Sequence, residues 1–426
     1  MLLYIDPGTG SMLFTVLIGV ISVAVYALRG VWMKLRFYLS GGRAEKISTD
    51  QAPIVIFSDS KRYWNVFEPI CDEFERRGQP LEYMTSSPDD PALSKEYAHI
   101  KCTFIGEGNK AFARLNTLRT EIVLSTTPSL DVFYWKRSKY VKWYVHIPHS
   151  AGNMTLYRMF GIDYYDAILI SGEYQTNQIR SLERIRGLPE KELTLAGLTY
   201  FDSMKARLDE ADHIPEHPTT VLLAPSWGKN AILSVFGGDA IKALLDTGYH
   251  IIVRPHPQSY TAEKDLLDSI MQQYPESEQL EWNRDNDNFE VLRRSDILIS
   301  DFSGVVMDFA MVFDKPIIYA NTDFDKSPYD ASWLDEEPWT FRILPQLGPK
   351  LTKDNLQNIR GLIDGCLNDP EYKEGRTAVR REAWSYPGES AVRTADYLIR
   401  KLEEFNEEKD ILKEKTHPAN KLTIRS

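Results

Sequence analysis

The sequence predicts two consecutive α/β domains, each a mostly parallel sheet with helices between its strands, preceded by one N-terminal transmembrane helix. Three observations carry that prediction. Short apolar runs of strand length alternate with apolar-periodic helical segments, and such strands pair in parallel through right-handed crossovers. The alternation stops at a polar segment holding Pro215 and Pro218, then restarts. Ser11 to Leu28, SMLFTVLIGVISVAVYAL, carries no charge and is long enough to cross a bilayer as a helix.

Arg29, Lys34 and Arg36 follow that apolar run, whereas the flank before it holds only Asp6. The positive-inside rule then puts the C-terminal side, and the whole globular part, in the cytoplasm. Trp32, Phe37 and Tyr38 suit the interface. A cleaved signal peptide needs a basic start and a small-residue cleavage site, and neither is clear in this sequence. A buried hydrophobic helix is the other reading of the run.

In the first domain, Ile54 to Phe57, Leu81 to Met84, Lys101 to Ile105, Ile122 to Leu124, Lys142 to Ile147, Ala167 to Ile170 and Leu193 to Ala196 read as strands. A helix over Trp64 to Arg77 puts Val66, Phe67, Ile70 and Phe74 on one face, and Gly78 ends it. Another is expected from Tyr174 to Arg186. In the second domain, Val221 to Ala224, Ile251 to Arg254, Ile297 to Ile299 and Ile317 to Tyr319 read as strands, with a helix over Ala240 to Leu245 that stops at Gly248. The boundaries that follow are 1–40 for the anchor, 41–212 and 213–390 for the two domains, and 391–426 for a final helix with a charged, solvated tail.

Composition bounds the function. The 426 residues are 43% hydrophobic and 26% charged, enough for packed cores. A formal net charge of -11 argues against a nucleic-acid binder that relies on a basic surface. An anionic ligand must be held by a local site. Cys71, Cys102 and Cys366 lie far apart without metal-ligand spacing, as expected of inert thiols in a reducing compartment.

Polar clusters follow several strands, where open α/β sheets bind ligands. Ser300-Asp301-Phe302-Ser303-Gly304 lies between the strand at Ile297 and a helix expected over Val305 to Phe313. That geometry aims free backbone N–H groups and the positive end of a helix dipole at an anion. An ordinary Ser-capped connection fits the same residues. Arg254-Pro255-His256-Pro257 combines a guanidinium fork suited to phosphate with an imidazole, held extended by two prolines; a stiffened surface loop is the plainer reading. His146-Ile147-Pro148-His149-Ser150-Ala151-Gly152-Asn153 ends a strand of the first domain, and the small residues after His149 leave room for a substrate beside a general base. A structural histidine fits equally. No G-x-G-x-x-G or P-loop pattern occurs, Ser226 lacks the glycine of a nucleophile elbow, and Asp285-Asn286-Asp287 reads as a polar loop, not a metal pair.

Taken in order, His149, Pro225-Ser226-Trp227, Arg254-Pro255-His256-Pro257, Ser300-Asp301-Phe302-Ser303-Gly304, Asp308 and Lys315-Pro316 resemble the CDP-glycerol glycerophosphotransferase family of teichoic acid synthesis. The likeness covers most of residues 120–385. This chain departs from the family's usual pattern at Phe302 and Gly304, and at Ser150-Ala151, where Gly-Thr is common. The resemblance implies two Rossmann-like domains in a GT-B arrangement, the second binding the donor. It implies transfer of glycerol phosphate, or a related polyol phosphate, from a CDP-activated donor to a hydroxyl of a lipid-linked or polymeric envelope glycan, with release of CMP. His149 and His256 would be catalytic. Arg254, Ser226, Ser300, Asp301, Ser303 and Gly304 would bind the donor, with no tightly bound metal or other cofactor. A single-pass anchor would hold the catalytic part at the cytoplasmic face of the cell membrane. Two other readings share this architecture: a GT-B glycosyltransferase using a nucleotide sugar, and an anchored scaffold without catalysis.

Overall fold

The computed structural model describes residues 52–285, 287–320 and 324–416. The apolar run from Ser11 to Leu28 lies outside them; among the described residues no helix is long and apolar enough to cross a membrane.

Two sheets form, and every ladder in them is parallel. The first contains β1 (Ile54–Ser58), β2 (Leu81–Thr85), β3 (Ile100–Phe104), β4 (Thr120–Ser125), β5 (Val141–His146), β6 (Ala167–Ile170) and β7 (Glu192–Leu195). Their order is β3-β2-β1-β4-β5-β6-β7. The second contains β8 (Thr220–Leu223), β9 (His250–Val253), β10 (Leu280–Trp282), β11 (Ile297–Ser300), β12 (Ile317–Ala320) and β13 (Lys350–Leu351). Here the order is β10-β9-β8-β11-β12-β13. Both orders reverse direction once, at β1/β4 and at β8/β11, and crevices at such switch points are where these sheets hold ligands. The two doubly wound lobes match the expected GT-B arrangement. The edge strands β10 and β13 were not expected from the sequence.

The strands are continuous apolar runs because helices cover both faces of a parallel sheet. β8 and β11 are buried along their whole length. The helix Trp64–Arg76 buries Val66, Phe67, Ile70 and Phe74, as its periodicity predicts. The helix Tyr174–Arg186 ends at Gly187, whose φ of 63° makes it a left-handed cap. After Gly304 a turn of α-helix, Val305–Met307, continues as a π-helix, Asp308–Val312. This is a departure from the regular helix expected there.

Among the contacts that join the lobes, two involve buried groups with several partners. After the helix Pro370–Ala383 the chain returns to the first lobe, where the Asp202 carboxylate accepts hydrogen bonds from Trp384 Nε1, Gly388 N and Ser390 N at 2.8, 2.8 and 2.9 Å. The final helix, Ser390–Thr416, then lays Ala395, Tyr397, Leu398 and Phe405 onto the core of the first sheet. Full burial of each large chain contributes about 1.5–3 kcal/mol. The second connection is ionic. Arg186 of the first lobe donates to Asp163 and to Asp330 of the second, at 2.6 and 2.5 Å, with all three side chains at most 5% exposed. Asp330 also accepts from Phe160 N and Gly161 N, at 2.7 and 3.0 Å. These extra donors matter, because desolvating a buried ion pair is costly unless its remaining lone pairs are satisfied.

Candidate active site

Three strand ends of the second lobe lie side by side, those of β9, β8 and β11. Arg254 follows β9. Its Nη1 donates to Asn283 Oδ1, at the end of β10, which fixes the guanidinium. Burial lowers its pKa, opposed by Asp285 and Asp287 nearby. His256 accepts from Gln258 N at Nδ1, 3.1 Å away. The tautomer follows from that bond: Nδ1 is the acceptor, so the neutral ring carries its proton on Nε2. Burial, and then the positive Arg62 of the first lobe, hold His256 below the usual imidazole range, against Glu263.

The β8 loop is pinned by two carboxylates. Asp301 accepts from Ser226 N at 2.9 Å and from Ile232 N at 3.0 Å. Glu263 accepts from Gly228 N and Ser234 Oγ, at 3.0 and 2.9 Å, and from Ser259 Oγ at 2.9 Å. Gly228, at φ 101°, has the left-handed backbone that favours glycine. Ser300 donates to Ala224 O at 2.6 Å and is buried. The structure therefore gives Ser300 and the Asp301 carboxylate inward partners that shape the loops, and Ser226 is buried beside them. Ser303 and Gly304 are different. The first turn-closing bonds run from Val306 N to Ser303 O and from Met307 N to Gly304 O, so the N–H groups of Ser303, Gly304 and Val305 come before the ladder. Gly304 is exposed, and a Cβ there would meet open space.

Asp308 and Lys315 are structural. Asp308 lies in the π-helix and accepts from Tyr200 Oη at 3.2 Å and Asn288 Nδ2 at 3.4 Å; burial raises its pKa to about 7. Lys315 Nζ caps the carbonyls of Leu292, Arg293 and Ser295 at 3.3, 2.5 and 2.6 Å, tying down the end of the helix Phe289–Arg294.

In the first lobe, His149 follows β5. Its Nδ1 lies 3.0 Å from Thr126 Oγ1, just past the end of β4. Its ring packs at 4.8 Å from Tyr63 and 6.4 Å from Tyr157. Burial pulls its pKa down to about 4, so the imidazole is neutral at pH 7 and able to accept a proton. His146 is fully buried, with Nε2 3.1 Å from Tyr157 Oη, and its pKa falls to about 3. It supports the pocket wall and does not reach the cleft. Asp59 follows β1, and burial raises the pKa of its carboxyl. Thr126, Tyr63, Asp59, Asn283 and Glu263 were not singled out from the sequence. Asp59 and Thr126 each come directly after an expected strand, so a search of every strand's carboxyl end would have found them; Asn283 follows β10, which gave no periodic signal.

A cavity of about 500 Å³ adjoins the Ser303 turn, lined by Asp301, Phe302, Tyr319, Phe324, Phe341 and Arg342 among others. Among the described residues no group of three or more His, Cys, Asp or Glu is placed to hold a metal ion.

Comparison with known proteins bears on the fold and the family. The wall teichoic acid polymerase TagF, soaked with CDPG, superposes with a TM-score of 0.55 at 15% identity, covering 89% of this chain and 98% of that one. UDP-GlcNAc 2-epimerases follow: that of Neisseria meningitidis, bound to UDP-GlcNAc, at 0.52 and 12% identity, covering 82% and 99%; and that of Methanocaldococcus jannaschii, in complex with UDP-GlcNAc and UDP, at 0.53 and 13%, covering 82% and 99%. At such identities the likeness is one of fold. No curated protein sequence matches. The model of one family, CDP-glycerol:poly(glycerophosphate) glycerophosphotransferase, matches residues 187–400, half of the chain, including every second-lobe strand end described above. By that match the chain belongs to the CDP-glycerol:poly(glycerophosphate) glycerophosphotransferase family.

Proposed function

We propose that this enzyme transfers glycerol phosphate, or a related polyol phosphate, from a CDP-activated donor to a hydroxyl of a lipid-linked or polymeric envelope glycan, releasing CMP. The observation that supports the reading is that Arg254 and the Nε2–H of His256 follow β9, and the N–H groups of Ser303 to Val305 follow β11, all at the carboxyl edge of one parallel sheet with only β8 between them. Three kinds of donor along one sheet edge suit a diphosphate. The acceptor oxygen attacks the phosphorus that bears glycerol. The bond from that phosphorus to the bridging oxygen breaks, and CMP leaves with the electron pair. His149 Nε2 takes the acceptor proton, with the ring held by the contact of its Nδ1 with Thr126 Oγ1, 3.0 Å away. Arg254, His256 and the helix start stabilise the charge on the phosphates, which is most of what phosphoryl transfer requires. Ser226, Ser300 and Asp301 act one step back, holding the loops.

On this reading activity needs no tightly bound metal; dialysis against EDTA leaves CMP release unchanged, and loss restored by Mg²⁺ would refute that point. The apolar run from Ser11 to Leu28 anchors the enzyme at the cytoplasmic face of the membrane, beside a lipid-linked acceptor. Membrane fractionation with protease protection checks the topology. The reaction is tested by CMP release from CDP-glycerol, CDP-ribitol and UDP-sugars with lipid-linked acceptor analogues. CMP formation that depends on acceptor supports the proposal. Turnover of a UDP-sugar alone would replace it with nucleotide-sugar transfer.

A further inference from the structure

The stretch after His149 meets the opposite lobe at Asn153. Asn153 N donates to Thr340 Oγ1 at 3.3 Å; Thr340 N and Oγ1 donate to Asn153 Oδ1 at 2.9 and 3.2 Å. One residue earlier, Gly152 O accepts from Tyr174 Oη and Gln175 Nε2, both at 3.1 Å. Trp339, beside Thr340, stacks on Tyr174 with centroids 4.0 Å apart. Ala151 is 3% exposed and belongs to a core made largely by the second lobe, including Val306 and Met307 of the helix that follows the Ser303 turn. The base is thus four residues from an anchor on the lobe that holds the phosphate turn. The short helix Trp339–Arg342 has a second contact: Phe341 and Arg342 line the cavity beside that turn.

We propose that Asn153 and Thr340 are a positioning pair, through which the second lobe sets the His149 imidazole relative to the donor. The inference rests on the assignment of His149 as base. The pair carries no charge, so removing it changes geometry and leaves the field of the site intact. Thr340 supplies a hydroxyl that accepts one bond and donates another, and Asn153 supplies a carbonyl that accepts two. A shift of about 1 Å in a catalytic group can cost on the order of 10²-fold in rate.

The test uses the full-length protein in mild detergent, with Thr340→Val, Asn153→Ala and the conservative Thr340→Ser. Two readouts are taken. Steady-state CMP release gives kcat and the KM for CDP-glycerol. NMR of ¹³Cε1-labelled histidine, with the His149 signal assigned through His149→Gln, reports the ring whether or not the reaction has been correctly identified. The expected result for Thr340→Val and Asn153→Ala is a kcat lowered roughly 10- to 100-fold with a KM within about threefold of wild type. The His149 signal shifts or broadens, the His256 signal stays, and Thr340→Ser restores both readouts. An unmoved His149 signal in Thr340→Val would overturn the inference, as would an unchanged kcat. If wild type shows no CMP release but its His149 signal responds to Thr340→Val, the positioning pair stands and the proposed reaction falls.

Discussion

His149 lies among neutral groups, Thr126, Tyr63 and Tyr157, where burial holds its pKa near 4. The second lobe does the opposite, placing a guanidinium and an N–H-bearing imidazole after β9 and a helix start after β11, along one sheet edge. A base needs an unprotonated nitrogen, and withholding water and carboxylates provides it. A diphosphate needs donors, and a rigid loop framework clamped by Asp301 and Glu263 provides those. The two half-sites therefore respond differently to substitution.

The sharpest separation is at His149. His149→Ala should lower CMP release by roughly 10²- to 10⁴-fold, the contribution of a general base, and leave donor affinity alone. Next is Arg254→Gln, expected to lose about 10²- to 10³-fold in kcat/KM for the donor, with weakened binding. Kinetics on both variants shows whether the loss sits in kcat or in KM.

Asp330→Asn tests whether the lobes depend on their buried contact. It should destabilise by about 3 kcal/mol, the low end for a broken buried pair, since Asp163 remains on Arg186. Urea denaturation reads this; no change in midpoint would mean that the contact is dispensable.

Protonation gives a further contrast. His146 and His149 have folded pKa values of about 3 and about 4, below the ordinary 6.5. A depressed folded pKa contributes stability that is present above pH 6.5 and lost as pH falls toward the folded value. The urea midpoint should therefore drop between pH 6.5 and 4.5, with a shallower slope in His146→Gln. The acid limb of kcat/KM should lie near pH 4, not near 6.5.

The smallest effect is expected at Gly304. Its backbone is ordinary, with φ at -59°, and a Cβ would meet open space. Gly304→Ala should gain up to about 1 kcal/mol of stability through the unfolded chain. A large rise in donor KM with unchanged stability would place the ligand directly against this residue.

Local pattern made much of this legible. Ala167–Ile170 and Tyr174–Arg186 have the bounds that periodicity gives, and the other expected strands shift by a residue or two. β10 and β13 escaped because three and two residues are too short for a periodic signal. The positions of His149, Arg254, His256 and Ser303 followed from strand ends. The inward partners of Ser300 and Asp301 did not, because Ala224 and Ser226 meet them across about 75 residues of chain. Asn153 with Thr340, and Arg186 with Asp330, are separated by 187 and 144 residues, and no local reading pairs them.

The most direct test of the division between base and donor site is calorimetric titration of CDP-glycerol into the full-length His149→Ala and Arg254→Gln proteins, with CMP assayed in the same samples. His149→Ala should bind the donor as wild type does yet release CMP roughly 10²- to 10⁴-fold more slowly with acceptor, whereas Arg254→Gln should bind it far more weakly. Equal loss of binding in the two variants, or wild-type CMP release by His149→Ala, would contradict that division.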